Sequence, residues 1–283
     1  MNRDRFGVDA CELRSKKLFL LDMDGTIYQE DRLFEGTQAF LDKISEMGGR
    51  YVFITNNSSK SAADYIAKVR RMGIDAGMAH FFTSAQASIQ LLKQKHPGQI
   101  VYCQGTQSLL SELREAGILV TDRVQDDIGV VLVGYDTELT SRKLRNTCEI
   151  LLRDLPYYAT NLDLTCPVSF GFVPDCGSMC IMLENATGKK PVVIGKPEPT
   201  MIDIVRDKFG VSREDTVVIG DRLYTDIAAG NNAGVTSVCV LSGEASFDDV
   251  VRSAVKPSYT FDSVREVLAC LDGRPAQGPL PKQ

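Results

Sequence analysis

The stretch that decides the fold is Lys17–Thr26, KLFLLDMDGT, in which a short apolar run ends abruptly at two aspartates. Because the run is apolar throughout and does not alternate with polar residues, it predicts a β-strand covered on both faces. Asp22 and Asp24 follow it, and Gly25 permits a sharp turn. Two carboxylates held this close repel each other unless a cation or a proton lies between them, and Mg²⁺ prefers such oxygen ligands. The alternative interpretation is a plain acidic turn, because Asp-Gly is a common turn dipeptide.

Three more apolar runs stop in the same way and are followed at once by polar residues. They are Arg50–Thr55 before Asn56 and Asn57, Lys190–Gly195 before Lys196, and Thr216–Gly220 before Asp221. Helical patterns lie between the runs at Phe34–Met47, Ser61–Met72 and Thr200–Phe209. This alternation predicts an α/β fold with a doubly wound parallel sheet and helices on both faces. Ligands of such sheets bind beyond the carboxyl ends of the strands, so we expect the four polar clusters to converge.

A second domain is predicted between the second and third of these clusters. Residues 98–189 repeat the alternation of strands and helices and contain enough apolar residues for a core of their own. The sequence therefore predicts a core domain of residues 1–97 and 190–283 with an inserted, smaller α/β domain of residues 98–189. The final residues, Ala276–Gln283, have the composition of a loose tail.

The polar clusters supply what phosphoryl transfer needs, which is positioning and the neutralisation of charge. Asp221 offers another carboxylate to a cation, and Asp226 could support that carboxylate, cap a helix, or do both. Lys196 precedes a proline that keeps its backbone extended, and it either neutralises a phosphoryl oxygen or is a solvated loop residue. Thr55 and Asn56 begin a run of hydroxyl, amide and N–H groups that forms either an oxyanion cradle or a helix cap. Their joint occurrence at the ends of buried strands favours the functional interpretations.

Composition narrows the classes of partner. The net charge of −5 argues against nucleic acid, which favours a basic surface. No apolar stretch approaches the ~20 residues that a membrane helix needs, so no membrane partner is expected. The eight cysteines are scattered without a CxxC pair, which argues against zinc and fits a reduced, cytoplasmic compartment.

In order and spacing, these motifs resemble the haloacid dehalogenase (HAD) superfamily. The signatures are DMDGT at 22–26, ITNNSS at 54–59, GKPEP at 195–199 and GDRLYTDIAAGNNAG at 220–234. The long insertion between the second and third is similar to that of the NagD-like branch, subfamily IIA. The resemblance implies a Rossmann-like core with a C2-type α/β cap.

The resemblance also implies an Mg²⁺-dependent phosphatase with an aspartyl-phosphate intermediate and small phosphorylated metabolites as substrates. Asp22 would be the nucleophile and Asp24 the acid and base. The remaining roles implied are phosphoryl contacts from Thr55 and Asn56 with Asn57 beside them, charge compensation by Lys196, and Mg²⁺ bound by Asp22, the backbone carbonyl of Asp24 and Asp221, with Asp226 in support. Sugar phosphates, nucleoside monophosphates and aryl phosphates are all open as substrates.

In the cap, Ala159–Asp163 follows the branch's ATNxD element, which makes Asn161 and Asp163 candidates to face the leaving group. A polar loop is the alternative for both. Asp175 and Cys176 depart from the branch, where small residues usually stand, and are expected to alter the substrate pocket. Caps of this branch often contribute to dimer contacts, so a homodimer is expected.

Two rival functions stay open. A phosphotransferase or mutase would hand the phosphoryl group to an alcohol instead of water. A phosphate-binding regulatory module without turnover is the other, although no acid or lysine of the motifs is missing.

Overall fold

The computed structural model describes residues 3–168 and 170–273, so the predicted tail at 276–283 lies outside the described residues. The chain divides into two compact units. Among the described residues, the first comprises those up to Ile54, Ile66–Phe82 and those from Pro197 onwards, and the second comprises Thr55–Tyr65 and Thr83–Lys196. The second unit thus takes in segments on either side of residues 98–189, and the sequence-based boundaries stay a prediction.

The strands are β1 (Leu18–Leu21), β2 (Tyr28–Gln29), β3 (Arg32–Leu33), β4 (Arg50–Thr55), β5 (Phe81–Thr83), β6 (Ile100–Gln104), β7 (Val120–Thr121), β8 (Ile128–Val133), β9 (Tyr157–Ala159), β10 (Thr165–Val168), β11 (Gly171–Pro174), β12 (Val192–Val193), β13 (Thr216–Gly220), β14 (Thr236–Val240) and β15 (Tyr259–Phe261). The α-helices are α1 (Thr37–Glu46), α2 (Ala62–Arg71), α3 (Ser84–Lys95), α4 (Gln107–Glu115), α5 (Ser141–Leu151), α6 (Cys176–Thr187), α7 (Thr200–Phe209), α8 (Ala228–Ala233), α9 (Phe247–Arg252) and α10 (Val264–Leu271). No helix within the described ranges is both long and apolar enough to cross a membrane.

The sheet of the first unit has the order β15-β14-β13-β1-β4-β5. Its strand pairs from β15 to β4 are parallel. The chain moves from β1 towards β5 on one side and returns through β13 to β15 on the other, so the direction of winding reverses beside β1. All four residues of β1 are fully buried, as the unbroken apolar run predicts.

That reversal brings two predicted acidic clusters together. Strand β1 pairs with β13 so that Leu21 lies opposite Ile219, and the backbone N–H of Asp22 donates to the Ile219 carbonyl at 2.9 Å. Because both strands end at the same edge, Asp22 and Asp221 leave them side by side. A point where the winding reverses is the place where sheets of this kind bind ligands.

The second unit contains its own parallel sheet, of order β12-β9-β8-β6-β7. Its core includes Val131, Val133, Ile150 and Leu183. The run Lys190–Gly195 was expected to join the same sheet as β1, and this is wrong, because Val192 pairs with Tyr158 of β9. An apolar run of this length packs equally well in either sheet, so its sequence does not identify its neighbours.

The antiparallel pair β10–β11 was not predicted from the sequence. It directly precedes α6, which begins at Cys176 with Asp175 as its N-cap. These are the two residues at which the sequence departs from the NagD-like branch. The Asp175 side chain accepts a hydrogen bond from the Cys176 backbone N–H and thereby caps the helix. The Cys176 thiol is buried, and its hydrogen bond with Cys180 is the main cause that raises its pKa well above the ordinary value. These two residues start a helix, and the thiol stays uncharged.

Candidate active site

Three aspartates of the first unit meet at the carboxyl end of β1 and β13. Asp22, Asp221 and Asp226 each offer a carboxylate oxygen, and these oxygens lie within 4.8 Å of one another. Asp221 and Asp226 are almost completely buried, whereas Asp22 is partly exposed. Three acids this close are mutually repulsive without a compensating cation. All three donors are carboxylate oxygens, so the set fits a hard divalent cation.

Glycines leave the space that these acids occupy. A Cβ atom at Gly25 or at Gly243 would collide with the Asp221 carboxylate, and one at Gly220 would collide with the Asp226 side chain. Gly25 also has a φ of +85°, which only glycine adopts without strain. Its carbonyl accepts a hydrogen bond of 2.7 Å from the Ser242 hydroxyl.

Main-chain donors fix the orientation of the two buried acids. The Glu244 N–H donates to Oδ2 of Asp221 at 2.7 Å, and the Arg222 N–H donates to Oδ2 of Asp226 at 3.1 Å. Asp226 therefore binds the backbone four residues before it, within a π-helical turn at Leu223–Ile227 that leads into α8. The predicted alternative, a cap at the start of the following helix, is not what this bond provides.

The thiol of Cys239, near Asp221 and Asp226, adds no negative charge to the acid cluster. Burial, together with the carboxylates of Asp221 and Asp226, raises the pKa of Cys239 to about 12. The thiol therefore stays protonated and adds no negative charge to the cluster.

Asp24 contacts two side chains that the sequence analysis did not single out. The Tyr28 hydroxyl donates to Oδ2 of Asp24 at 3.3 Å, and the Lys68 ammonium lies 3.8 Å from Oδ1. The same ammonium lies 3.9 Å from the centre of the Tyr28 ring, in cation–π geometry. Lys68 belongs to α2, where its spacing does not distinguish it from the other basic residues of the last turn. The carboxylate is about half exposed, so it is accessible while it is held.

The other predicted residues lie in the second unit. They are Thr55, Asn56, Asn57, Asn161, Asp163 and Lys196. The side-chain oxygen of Asn57 accepts from the N–H and the hydroxyl of Ser59 at 2.9 and 2.7 Å, and the Asn57 N–H donates to the Thr55 hydroxyl oxygen at 3.2 Å. These bonds fix the turn between β4 and α2.

Lys196 is buried and tied to Asn56 through its main chain. The Lys196 N–H donates to Oδ1 of Asn56 at 2.8 Å, and Nδ2 of Asn56 donates to the Lys196 carbonyl at 2.9 Å. Gly195 makes this approach possible, because a Cβ atom there would stand 2.5 Å from Oδ1 of Asn56 and from the Thr160 carbonyl oxygen.

Asn161 and Asp163 both form hydrogen bonds with Asn56. Nδ2 of Asn161 donates to the Asn56 carbonyl at 2.8 Å, and Nδ2 of Asn56 donates to Oδ1 of Asp163 at 3.1 Å. The Asp163 N–H in turn donates to Oδ1 of Asn161 at 2.9 Å. Both side chains are buried, Asn161 completely.

Comparison with known proteins agrees with this architecture. The family model described as haloacid dehalogenase-like hydrolase matches residues 19–119, and a second HAD-hydrolase-like model matches residues 193–267. Among curated proteins, an acid sugar phosphatase of Staphylococcus aureus is 30% identical over 260 residues, which cover 92% of this chain and 100% of that protein. The chain belongs to the haloacid dehalogenase-like hydrolases.

Solved structures of this family extend the similarity to three dimensions. A 4-nitrophenylphosphatase from Thermotoga maritima is 36% identical with a TM-score of 0.88, and the match covers 92% of this chain and 99% of that one. A glycerol phosphate phosphatase from Mycobacterium tuberculosis, solved with magnesium, is 30% identical with a TM-score of 0.84, and the match covers 90% and 77% of the two chains. NagD from Escherichia coli K-12 matches at 32% identity with a TM-score of 0.81, over 89% and 98%.

The predicted membership of the HAD superfamily, in its NagD-like branch, is confirmed, as is the predicted fold of a Rossmann-like core with a cap. The chain is a phosphatase of this superfamily, a phosphoric monoester hydrolase.

Proposed function

We propose that this phosphatase hydrolyses small phosphomonoesters through an aspartyl-phosphate on Asp22. The observation that carries the proposal is the cluster of Asp22 with Asp221 and Asp226 at the ends of β1 and β13. A carboxylate is a weak nucleophile, and it needs a neighbouring positive charge to approach an anionic phosphoryl group. A cluster of acids that selects a cation meets this need.

The reaction has two steps. An Asp22 carboxylate oxygen attacks phosphorus while the ester P–O bond breaks, and Asp24 gives its proton to the leaving oxygen. Asp24 then takes a proton from water, which attacks the phosphorus of the aspartyl-phosphate and releases phosphate and Asp22. Lys68 and Tyr28 support this role because they hold the Asp24 carboxylate in one place.

Use of a divalent metal ion fits the donor set, and we propose Mg²⁺ as the ion. Asp22, Asp221 and the Asp24 carbonyl are its proposed ligands, with Asp226 in support. When bound, the ion supplies positive charge against the phosphoryl oxygens. The relative solved with magnesium supports this choice.

Thr55, Asn56, Asn57 and Lys196 complete the proposal. The Thr55 hydroxyl and the Asn56 N–H hold phosphoryl oxygens, Asn57 keeps the turn that carries them, and Lys196 offsets negative charge. The hydrogen bonds of Asn57 with Ser59 are consistent with this supporting role.

The proposed substrates are small phosphorylated metabolites. Relatives named acid sugar phosphatase, 4-nitrophenylphosphatase and glycerol phosphate phosphatase make sugar, aryl and alkyl monoesters the first compounds to try. A homodimer and a cytoplasmic location stay predictions, which gel filtration and cell fractionation test.

The proposal is tested by phosphate release from such a panel, with Mg²⁺, with EDTA, and with EDTA followed by excess Mg²⁺. We expect release that EDTA abolishes and Mg²⁺ restores. Transfer only in the presence of an alcohol acceptor would favour a phosphotransferase, and phosphate binding without turnover would favour a regulatory module.

A further inference from the structure

The loop that carries Lys196 leaves the sheet of the second unit just before the lysine. Strand β12 ends at Val193, and the backbone N–H groups of Ile194 and Gly195 still donate to the carbonyls of Ala159 and Thr160, at 3.1 and 2.9 Å. Among the described residues, no strand continues alongside Lys196, and the proline that follows has no N–H. A different partner has to fix the backbone of the lysine.

The side chain of Asn56 takes the place of that strand. Its amide accepts from the Lys196 N–H and donates to the Lys196 carbonyl, which is how a neighbouring strand pairs with one residue. None of these bonds uses the Lys196 ammonium, so they fix where the side chain begins without engaging its charge.

Asn56 is itself held from two sides. The second side-chain amide hydrogen of Asn56 is directed to Oδ1 of Asp163 at 3.1 Å. The backbone carbonyl of Asn56 accepts from Nδ2 of Asn161 at 2.8 Å and from the Ser84 hydroxyl at 2.6 Å. Because all of these groups are buried, each bond lost would leave a desolvated polar atom without a partner. The amide of Asn56 therefore has one orientation.

We propose that Asn161 and Asp163 are positioning residues, which orient Lys196 through Asn56 and do not contact the leaving group. This inference rests on the proposed role of Lys196 in charge compensation. It replaces the sequence-based expectation that the two residues face the substrate, since both hydrogen-bond to Asn56 inside the protein.

A double-mutant cycle tests whether Asp163 acts through Lys196. We expect Asp163→Ala to lower kcat/KM by about 10²-fold, the cost of misplacing a group by about 1 Å. Asp163→Asn should recover most of this loss, because an amide oxygen still accepts from Asn56. In a Lys196→Ala background, Asp163→Ala should change kcat/KM by less than about 3-fold, since no lysine remains to be positioned.

The control is Asp126→Ala, which removes an exposed aspartate of the same unit and should leave kcat/KM unchanged. If Asp163→Ala does not fold, Asn161→Ala is the milder variant, because Ser84 still binds the Asn56 carbonyl. It should show a smaller loss that likewise disappears in the Lys196→Ala background.

A full effect of Asp163→Ala or Asn161→Ala in the Lys196→Ala background would overturn the inference, as would wild-type activity of both variants. If Lys196→Ala alone leaves kcat/KM unchanged, the proposed role of the lysine fails first. Leaving-group preference provides a second readout. A direct contact predicts losses that differ between sugar and aryl monoesters, whereas positioning of Lys196 predicts the same loss for both.

Discussion

The acid cluster of the first unit and the Lys196 loop of the second hold charged groups in opposite ways. Asp221 and Asp226 are bound by main-chain N–H groups in space that Gly25, Gly220 and Gly243 leave open. Lys196 is bound through its own main chain by the side chain of Asn56.

The difference follows from what each charge requires. Three carboxylates repel one another, so each needs its own fixed donor and a shared cation. A single ammonium meets no such repulsion, and it is placed by fixing the backbone from which it extends. The acids should therefore be sensitive to added volume and to metal, and the lysine to the loss of single hydrogen bonds.

The most damaging change to the acid cluster is Asp22→Asn. It removes the nucleophile, and we expect kcat to fall by roughly 10⁵-fold, the scale on which nucleophile variants of other enzymes lose activity. Asp31→Asn, at an exposed position of the same unit, is the matched control. Phosphate release with Mg²⁺ measures both, and a loss of less than about tenfold for Asp22→Asn would remove this residue from the chemistry.

Added volume tests the space around Asp221. Gly243→Ala places a methyl group against the Asp221 carboxylate, so we expect the Mg²⁺ concentration for half-maximal activity to rise by about 10- to 100-fold. Gly77→Ala is the control, because Gly77 has a φ of −126° and no atom lies within 4 Å of a Cβ built there. Equal Mg²⁺ requirements of the two variants would show that this space does not control the metal site.

Lys68 lies with its ammonium 3.8 Å from Oδ1 of Asp24, and this side-chain contact can be tested separately from the main-chain contacts of Lys196. Lys68→Met keeps the stem over the Tyr28 ring but removes the charge near Asp24. We expect kcat/KM to fall roughly 10-fold for an alkyl monoester but less than about 3-fold for 4-nitrophenyl phosphate, whose leaving group needs no proton. Lys68→Arg should restore most of the alkyl activity. Equal losses on the two substrates would contradict the role of Lys68.

Glu112 shows what burial does to an acid without such donors. Burial, and then the carboxylates of Glu115 and Asp64, raise the pKa of Glu112 from 4.5 to about 7. Because the folded state holds this proton more tightly, the free energy of unfolding falls as pH rises from 4.5 to 7 and stays low above it. Glu112→Gln should therefore gain about 1 kcal/mol at pH 8 but not at pH 4.5, allowing for solvent screening. Thermal melts at both pH values measure this, and an equal gain at both would refute it.

The sequence predicts the ends of β1, β4 and β13 well and the side-chain partners poorly. Leu18–Leu21 is uniformly apolar, so the position of Asp22 at the end of a buried strand follows directly from the pattern. The pairing of β1 with β13 is not local, but the rule that ligands bind at carboxyl ends anticipates it.

The missed features depend on contacts between distant segments. Lys68 lies on an amphipathic helix where nothing local directs it towards Asp24. The polar character of Asn161 and Asp163 is visible in the sequence, but the direction of their hydrogen bonds depends on Asn56, more than 100 residues away. The sheet that β12 joins cannot be predicted from the sequence for the same reason.

The central claim is that Asp22 carries the phosphoryl group, and the Asp24→Asn variant tests it most directly. With 4-nitrophenyl phosphate the first step needs no proton, whereas hydrolysis of the intermediate lacks its base, so the phosphoenzyme should accumulate. We predict a burst of about one 4-nitrophenolate per active site, and peptide mapping after acid quench should find the phosphoryl group on Asp22. Steady turnover without a labelled peptide, or a label on any other residue, would contradict the account.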